Sequence, residues 1–423
     1  MAWQPPPGYP PYPGQPAPPF FPPAPSPYPQ NPYYPLLFPP PPGFPEYPPY
    51  PMQNYGPPGG PPGGPPQALR RRRLGPPQGY PPPGGYPGYG APQQPVHAGP
   101  PVPPSPGYIP GQRGHTDMNG QAVKLRDSMK GFGTNEAKLI AALAQVHNPL
   151  DMAQLRFQYD DRFRRDLIKD IKSETGGDFE EALCAVVRGP LGQDVYALNR
   201  SLAGVGTKED LLNDVLLGRS NADLKAIMGE YQKMYRKDLG AEVRGDLSMK
   251  TAKLFEYVMA ANRAEESAPV IPQQTDADVD RLQQATEGTK FGTNQDVVVQ
   301  VLAQRSNGQI RAIAQAYQSK YRRSLDEVLK KEFSGHMEDA LRLMLGRAVD
   351  PVKTDADQLE ASMKGLGTKD ELLIHRVVQI HWDRNRMQQV RNAYRQFYKK
   401  DLVKRIEGET RGDYEKLLVA LVV

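Results

Sequence analysis

The sequence predicts an all-α body built from four repeats, preceded by a disordered tail. Three observations carry this. Of 49 prolines, 44 fall in residues 1–115. A Gly-Thr pair recurs at 133–134, 206–207, 292–293 and 367–368, at spacings of 73, 86 and 75 residues, which is the mark of a repeat architecture. No stretch of the body alternates apolar and polar residues at strand period.

Residues 1–115 hold GGYPGYG and PPGGPPGGPP and no lysine. A segment so poor in apolar runs cannot offset its ordering entropy, so it reads as disordered. Its proline tracts offer polyproline II surface to SH3- or WW-type partners, and its tyrosines favour weak self-association. Arg70, Arg71, Arg72 and Arg73 form its one basic cluster. The tail carries +4 of the net +5, leaving the body near neutral. A neutral body argues against a nucleic-acid groove.

The body divides into repeat 1 (117–190), repeat 2 (191–263), a linker (264–275), repeat 3 (276–349) and repeat 4 (355–423). The linker, within AEESAPVIPQQTDAD, reads as the join between two halves. Each repeat runs in the same order. A glycine-rich loop (MKGFGT, LAGVGT, GTKFGT, MKGLGT) precedes an apolar helical pattern such as Leu139, Ile140, Leu143, Val146. An aromatic and basic stretch follows: FQYDDRFRRDL, YQKMYRKDL, YQSKYRRSL, YRQFYKKDL. A polar break with an acid and a closing apolar helix complete the unit, giving about five helices per repeat. Thr134, Thr207, Thr293 and Thr368 each stand just before a helical pattern and read as N-caps. Asp210, Asp296 and Glu371, three residues after the last three of them, suit a capping box.

A cap explains the threonine but not the two glycines. Glycine tolerates the positive φ that turns successive carbonyls outward, and carbonyl oxygens are hard ligands suited to Ca²⁺. Three neutral dipoles need a carboxylate beside them. Glu174 follows Gly133 by 41 residues, Asp246 follows Gly206 by 40, Glu332 follows Gly292 by 40, and Glu409 follows Gly367 by 42. The alternative for any single copy is a tight turn and a surface charge; four acids in register favour the binding reading.

Four repeats with K-G-x-G-T or a variant, each with an acid about 40 residues on, resemble the annexin family over residues 117–423. The resemblance implies a slightly curved disc, with calcium on the convex face bridging to anionic phospholipid. Its ligand sets are Met129, Gly131, Gly133 and Glu174; Leu202, Gly204, Gly206 and Asp246; Gly288, Lys290, Gly292 and Glu332; and Met363, Gly365, Gly367 and Glu409. Repeats 1 and 4 match best. Repeat 2 lacks the usual glycine after Asp246, and repeat 3 places Lys290 at the middle carbonyl, a variation also met in the family's third repeat. The family's arginine at the end of the second helix is present as Arg219 and Arg305 but replaced at His147 and His381, which puts the internal salt bridges there in doubt.

Phe132, Val205, Phe291 and Leu366 stand between the glycine positions. Outward, they meet the interfacial layer of a membrane; inward, they are core contacts. Phe132, Phe291 and Leu366, with the adjoining Lys130 and Lys364, form the candidate lipid contact set. One carboxylate per site implies weak intrinsic calcium affinity, about 10⁻⁴ M, strengthened when several sites meet one membrane. No catalytic constellation emerges: the histidines lack metal-ligand spacing, and Cys184, the single cysteine, sits in an apolar helix. The lone cysteine and the lack of a secretory leader or an 18-residue apolar run suggest a cytoplasmic protein, peripheral on membranes when calcium rises. The competing reading is a calcium-independent helical scaffold that recruits partners, or RNA, through its tail.

Overall fold

The computed structural model describes residues 99–131, 133–204, 206–288 and 292–423. The expectations for residues 1–98, with Arg70–Arg73 among them, and for Phe132, Val205, Lys290 and Phe291 fall outside the described residues. Among the described residues every regular element is a helix.

Repeat 1 comprises α1 (Asn119–Ser128), α2 (Glu136–Ala144), α3 (Pro149–Phe163), α4 (Leu167–Glu174) and the first limb of α5 (Gly177–Ser201). Within α5, Gly189 leaves the helical region (φ 71°, ψ 175°) and Pro190 follows, so α5 is two helices joined at a kink. The second limb opens repeat 2, which continues with α6 (Glu209–Leu216), α7 (Asn221–Tyr235), α8 (Leu239–Asp246) and α9 (Met249–Met259). Repeat 3 holds α10 (Pro272–Ala285), α11 (Gln295–Gln304), α12 (Asn307–Tyr321), α13 (Leu325–Glu332) and α14 (Gly335–Val349). Repeat 4 holds α15 (Pro351–Met363), α16 (Asp370–His381), α17 (Arg384–Tyr398), α18 (Leu402–Glu409) and α19 (Gly412–Val422). With both limbs of α5 counted, each repeat has five helices.

The aromatic and basic stretches now have a mechanical reading. Tyr159, Tyr231, Tyr317 and Tyr394 are wholly buried on the third helix of each repeat. Their hydroxyls donate to Asp170, Glu242, Gln283 and Glu360. The basic residue that ends each third helix (Arg164, Arg236, Arg322, Lys399) adopts left-handed backbone, φ 53–59°. This stops the helix, and two residues later Asp166, Asp238, Ser324 or Asp401 caps the fourth helix by accepting from its backbone N–H groups.

Three expectations are corrected. The segment 264–275, read as the join between two halves, connects repeats that share one core: repeats 2 and 3 share one apolar core and repeats 1 and 4 share another. The helix α10 also begins at Pro272, inside the segment read as linker, because proline is well placed in a first helical turn. Residues 99–115, assigned by composition to the disordered tail, pack on the body. Ser105 donates through its N–H and hydroxyl to Asp223, both at 2.7 Å. Tyr108 is 3% exposed, and its hydroxyl donates to Asp194 at 2.6 Å. Composition reports an average, whereas docking here depends on one tyrosine and its buried acceptor.

Asp194 lies in a buried polar junction shared by repeats 2, 3 and 4. Arg219 reaches it at 2.8 Å, and the Gln379 amide also donates to it. Burial pushes the Asp194 carboxyl up to about 6 against the pull of Arg219 and the Tyr108 hydroxyl. Nearby, Arg376 pairs with Asp214 at 2.6 Å, and Arg347 lies 3.6 Å from the same carboxylate. Burial would raise Asp214, but those two guanidinium groups hold it below the usual carboxylate range. His375 is 1% exposed within this cluster. Burial, opposed by Asp214 and reinforced by Arg219, Arg376 and Arg347, pushes its pKa down to about 3. At the junction of repeats 1 and 4, the His147 and His381 rings pack 5.1 Å apart.

Two outcomes follow from this packing. Tyr108→Phe removes a donor from buried Asp194 and is expected to lower full-chain stability by about 1–3 kcal/mol in urea unfolding; an unchanged midpoint would show that residues 99–115 do not dock. His375 is held neutral in the fold, so its contribution is complete above the unfolded pKa near 6.5 and is lost as pH falls from there toward 3. Between pH 7.5 and 5.0 the wild type is expected to lose on the order of 2 kcal/mol relative to His375→Leu, read as the difference between two urea titrations.

Candidate metal centres

Each candidate centre forms where two helix C-termini meet. The glycine-rich loop leaves the end of the first helix, and the acid is the last residue of the fourth: Glu174 ends α4, Asp246 ends α8, Glu332 ends α13 and Glu409 ends α18. Terminal carbonyls lack intrahelical partners and carry the negative end of the helix dipole. Two such ends and a carboxylate make a place suited to a cation before any ligand is counted.

The loop threonine holds the two ends together. Thr134 Oγ1 donates to Glu174 Oε2 at 3.2 Å, Thr207 to Asp246 Oδ2 at 2.9 Å, Thr293 to Glu332 Oε2 at 2.8 Å, and Thr368 to Glu409 Oε2 at 3.1 Å. This corrects the reading of these threonines as N-caps. The cap position falls one residue later, at Asn135, Lys208, Asn294 and Lys369, and in repeat 1 the Asn135 side chain accepts from Lys138 N. The acids read as capping-box partners are also employed elsewhere. Glu371 pairs with Arg200 and Lys208 of repeat 2, Asp210 with Lys369 of repeat 4 at 2.8 Å, and Asp296 with Lys253 of repeat 2 at 2.5 Å. They tie one repeat to another.

The glycines behave as a carbonyl-presenting loop requires. Gly131 (φ 110°), Gly133 (85°), Gly204 (100°), Gly206 (83°), Gly365 (117°) and Gly367 (83°) are all left-handed. An added Cβ at any of them would meet nothing within 4 Å, so the loops stand open to solvent. The preceding side chains anchor them: Met129 and Met363 are buried, at 2% and 0% exposure. Loop closure uses one backbone bond in three repeats, Asn135 N to Ser128 O, Lys208 N to Ser201 O and Lys369 N to Ser362 O, at 2.8–2.9 Å. The serine hydroxyl caps its own helix end in each case. The glycine motif alone does not mark these three serines, although each directly precedes its loop.

Repeat 3 departs in the way its sequence hints. Asn294 N bonds to Ala285 O, so the loop closes two residues farther back. Gly288 is not left-handed, and an added Cβ there would lie 3.0 Å from Gln283 O. Gly292 keeps the open geometry at φ 91°. Repeat 2 departs after its acid. Gly177, Gly335 and Gly412 take positive φ three residues past theirs, whereas Met249 takes that place in repeat 2, 91% exposed.

Leu366 settles one open orientation: it projects fully into solvent between its two glycines, and Lys130 and Lys364 are exposed beside their loops. Cys184 is buried, and burial pushes its thiol up to about 11. Among the described residues no three His, Cys, Asp or Glu side chains gather as a metal cluster. A donor set of backbone oxygens and one carboxylate per repeat would be all hard oxygen ligands, which suits Ca²⁺ rather than a softer metal. Among the described residues no helix is long and apolar enough to cross a membrane.

Known proteins resemble this chain in sequence and in fold. The family model described as Annexin matches residues 121–186, 193–256, 277–344 and 354–421. Annexin C1 of Cryptococcus neoformans var. grubii is 38% identical over 335 residues, 77% of this chain and 70% of that protein. Human Annexin A7 is 34% identical over 300 residues, 70% of this chain but only 60% of that protein. Among solved structures, a mutant of annexin A8 aligns at TM-score 0.68 and 26% identity, over 75% of this chain and 98% of that one. Chicken annexin V aligns at TM-score 0.65 and 28% identity, over 74% and 97%. Four matched segments covering most of the helical body establish that the chain belongs to the annexin family, whose members are generally non-enzymatic and bind phospholipid in a calcium-dependent manner.

Proposed function

We propose that this protein docks on anionic phospholipid membranes through calcium held by its loop carbonyls and one carboxylate per repeat. The observation that carries the reading is the fourfold threonine-to-acid bond, which sets an open glycine loop beside a carboxylate in every repeat. Ca²⁺, when bound, supplies the positive charge that an anionic head group seeks, and leaves coordination positions for that group's oxygens.

The residues divide the work. Met129, Gly131, Gly133 and Glu174, and Met363, Gly365, Gly367 and Glu409, provide the sets with both left-handed glycines and the glycine past the acid. Leu202, Gly204, Gly206 and Asp246 provide a third, and Gly288, Lys290, Gly292 and Glu332 the most altered. Leu366 enters the interfacial layer, as Phe132 and Phe291 do in their loops, while Lys130 and Lys364 meet lipid phosphates. Because the body is near neutral, membrane attraction follows calcium rather than net charge, and reciprocal coupling makes lipid raise calcium affinity. The protein thus serves as a cytoplasmic, peripheral organiser of membranes.

Glu174→Gln combined with Asp246→Asn is expected to raise the calcium needed for half-maximal co-sedimentation of the full chain with phosphatidylserine vesicles by about tenfold. An unchanged requirement would reduce these loops to helix turns. Leu366→Asp is expected to weaken vesicle retention at saturating calcium several-fold while leaving the urea midpoint within about 0.5 kcal/mol of wild type.

A further inference from the structure

Repeat 4 differs from the others in a way the motif does not reveal. Arg405 sits one turn before Glu409 on α18, and its guanidinium faces inward: the side chain is 16% exposed. Nη1 pairs with Glu409 Oε1. Nη2 donates to the Met363 carbonyl at 2.5 Å. Nε donates to Glu360 Oε2 at 3.2 Å. Two of these three acceptors, the Met363 carbonyl and the Glu409 carboxylate, are the oxygens assigned to calcium.

No other repeat has a cation at this position; in repeat 1 the two charges are exchanged, with Arg126 lying 3.5 Å from Asp170. At the matching position, four residues before the acid, stand Asp170, Glu242 and Val328. Among the described residues Glu174 and Asp246 have no ion pair, and Glu332 meets only Lys331, at 3.3 Å, from a side chain 60% exposed to solvent. A lysine so exposed contributes little and is readily displaced. Arg405 is instead planar, sheltered and anchored by Glu360, so that it presents a positive fork at the centre itself.

We propose that Arg405 is a built-in counter-cation of the repeat-4 centre, which competes with calcium for Met363 O and Glu409 and makes this centre the one that requires the most calcium among those with an intact loop. This rests on the calcium reading given above. When the centre fills, Nη1 and Nη2 give up their two acceptors while Nε keeps Glu360, so the guanidinium is not left unpaired. The pattern that looks closest to ideal in sequence is thereby the one restrained in the fold. The protein gains a graded response: repeats with free acids engage a membrane first, and repeat 4 adds its contact only at higher calcium or once lipid oxygens help to displace the arginine.

The test isolates repeat 4. In the full chain carrying Glu174→Gln, Asp246→Asn and Glu332→Gln, calcium is titrated by calorimetry with phosphatidylserine vesicles present, with and without Arg405→Gln. The expected result is that Arg405→Gln lowers the calcium half-point by about five- to tenfold, that Arg405→Lys lowers it less, and that adding Glu409→Gln abolishes the gain. Arg405→Met, which keeps the aliphatic packing without the charge, serves if the glutamine variant folds poorly and is expected to act alike. An unchanged or higher half-point in both neutral variants overturns the proposal, because Arg405 would then position Glu409 rather than compete with calcium. If Glu174→Gln and Glu409→Gln each leave calcium binding of the otherwise wild-type chain unaltered, the calcium reading itself fails.

Discussion

One hydrogen bond recurs four times and organises the working end of every repeat: the loop threonine hydroxyl to the carboxylate that ends the fourth helix. It spans 39–41 residues of sequence. Without it, the glycine loop and the acid would be two surface features on separate helix connections. With it, two helix C-termini are held side by side, so that the negative ends of two helix dipoles and one carboxylate share a place. The rest of each repeat can be understood as support for this bond. The buried tyrosine sets the third helix, the left-handed basic residue ends it, and the Asp or Ser cap starts the fourth helix so that it finishes at the acid.

The repeats are not interchangeable units placed in a row. Repeats 1 and 4 bury one core, and repeats 2 and 3 another. The polar junction around Asp194 and Asp214 joins repeats 2, 3 and 4. Buried ion pairs of this kind add little net stability but are costly to break singly, so they favour one arrangement over others. The ion pairs of Asp210, Glu371 and Asp296 do similar work near the loops, between repeats and partly in solvent. Tyr108 extends the junction to the segment ahead of the first helix, so the folded body begins earlier than the change in proline content suggests.

Much of this was legible in the sequence. The Gly-Thr period, the apolar pattern after it and the acid at constant distance each reflect a requirement that side-chain chemistry imposes locally, and together they pointed to the helices and to the loop and acid that the fold brings together. What remained hidden depends on partners distant in sequence. Nothing near Tyr108 announces Asp194, 86 residues away. Thr134 and Asn135 are both good caps, and only the fold shows that Asn135 takes the helix while Thr134 takes the acid. The sharing of cores between repeats 1 and 4 depends on which apolar faces meet, which helical periodicity leaves undetermined. Arg405, four residues before Glu409, resembles an ordinary solvated helix pair until Met363 O and Glu360 are seen beside it.

On the proposed reading, calcium rather than net charge gives this near-neutral body its affinity for an anionic surface. The most direct measurement is co-sedimentation of the full wild-type chain with phosphatidylserine and with phosphatidylcholine vesicles, in calcium and in chelator. The chain is expected to pellet with phosphatidylserine only in calcium, to be released by chelator, and to stay in solution with phosphatidylcholine. Equal pelleting in calcium and chelator, or none at millimolar calcium, would contradict it.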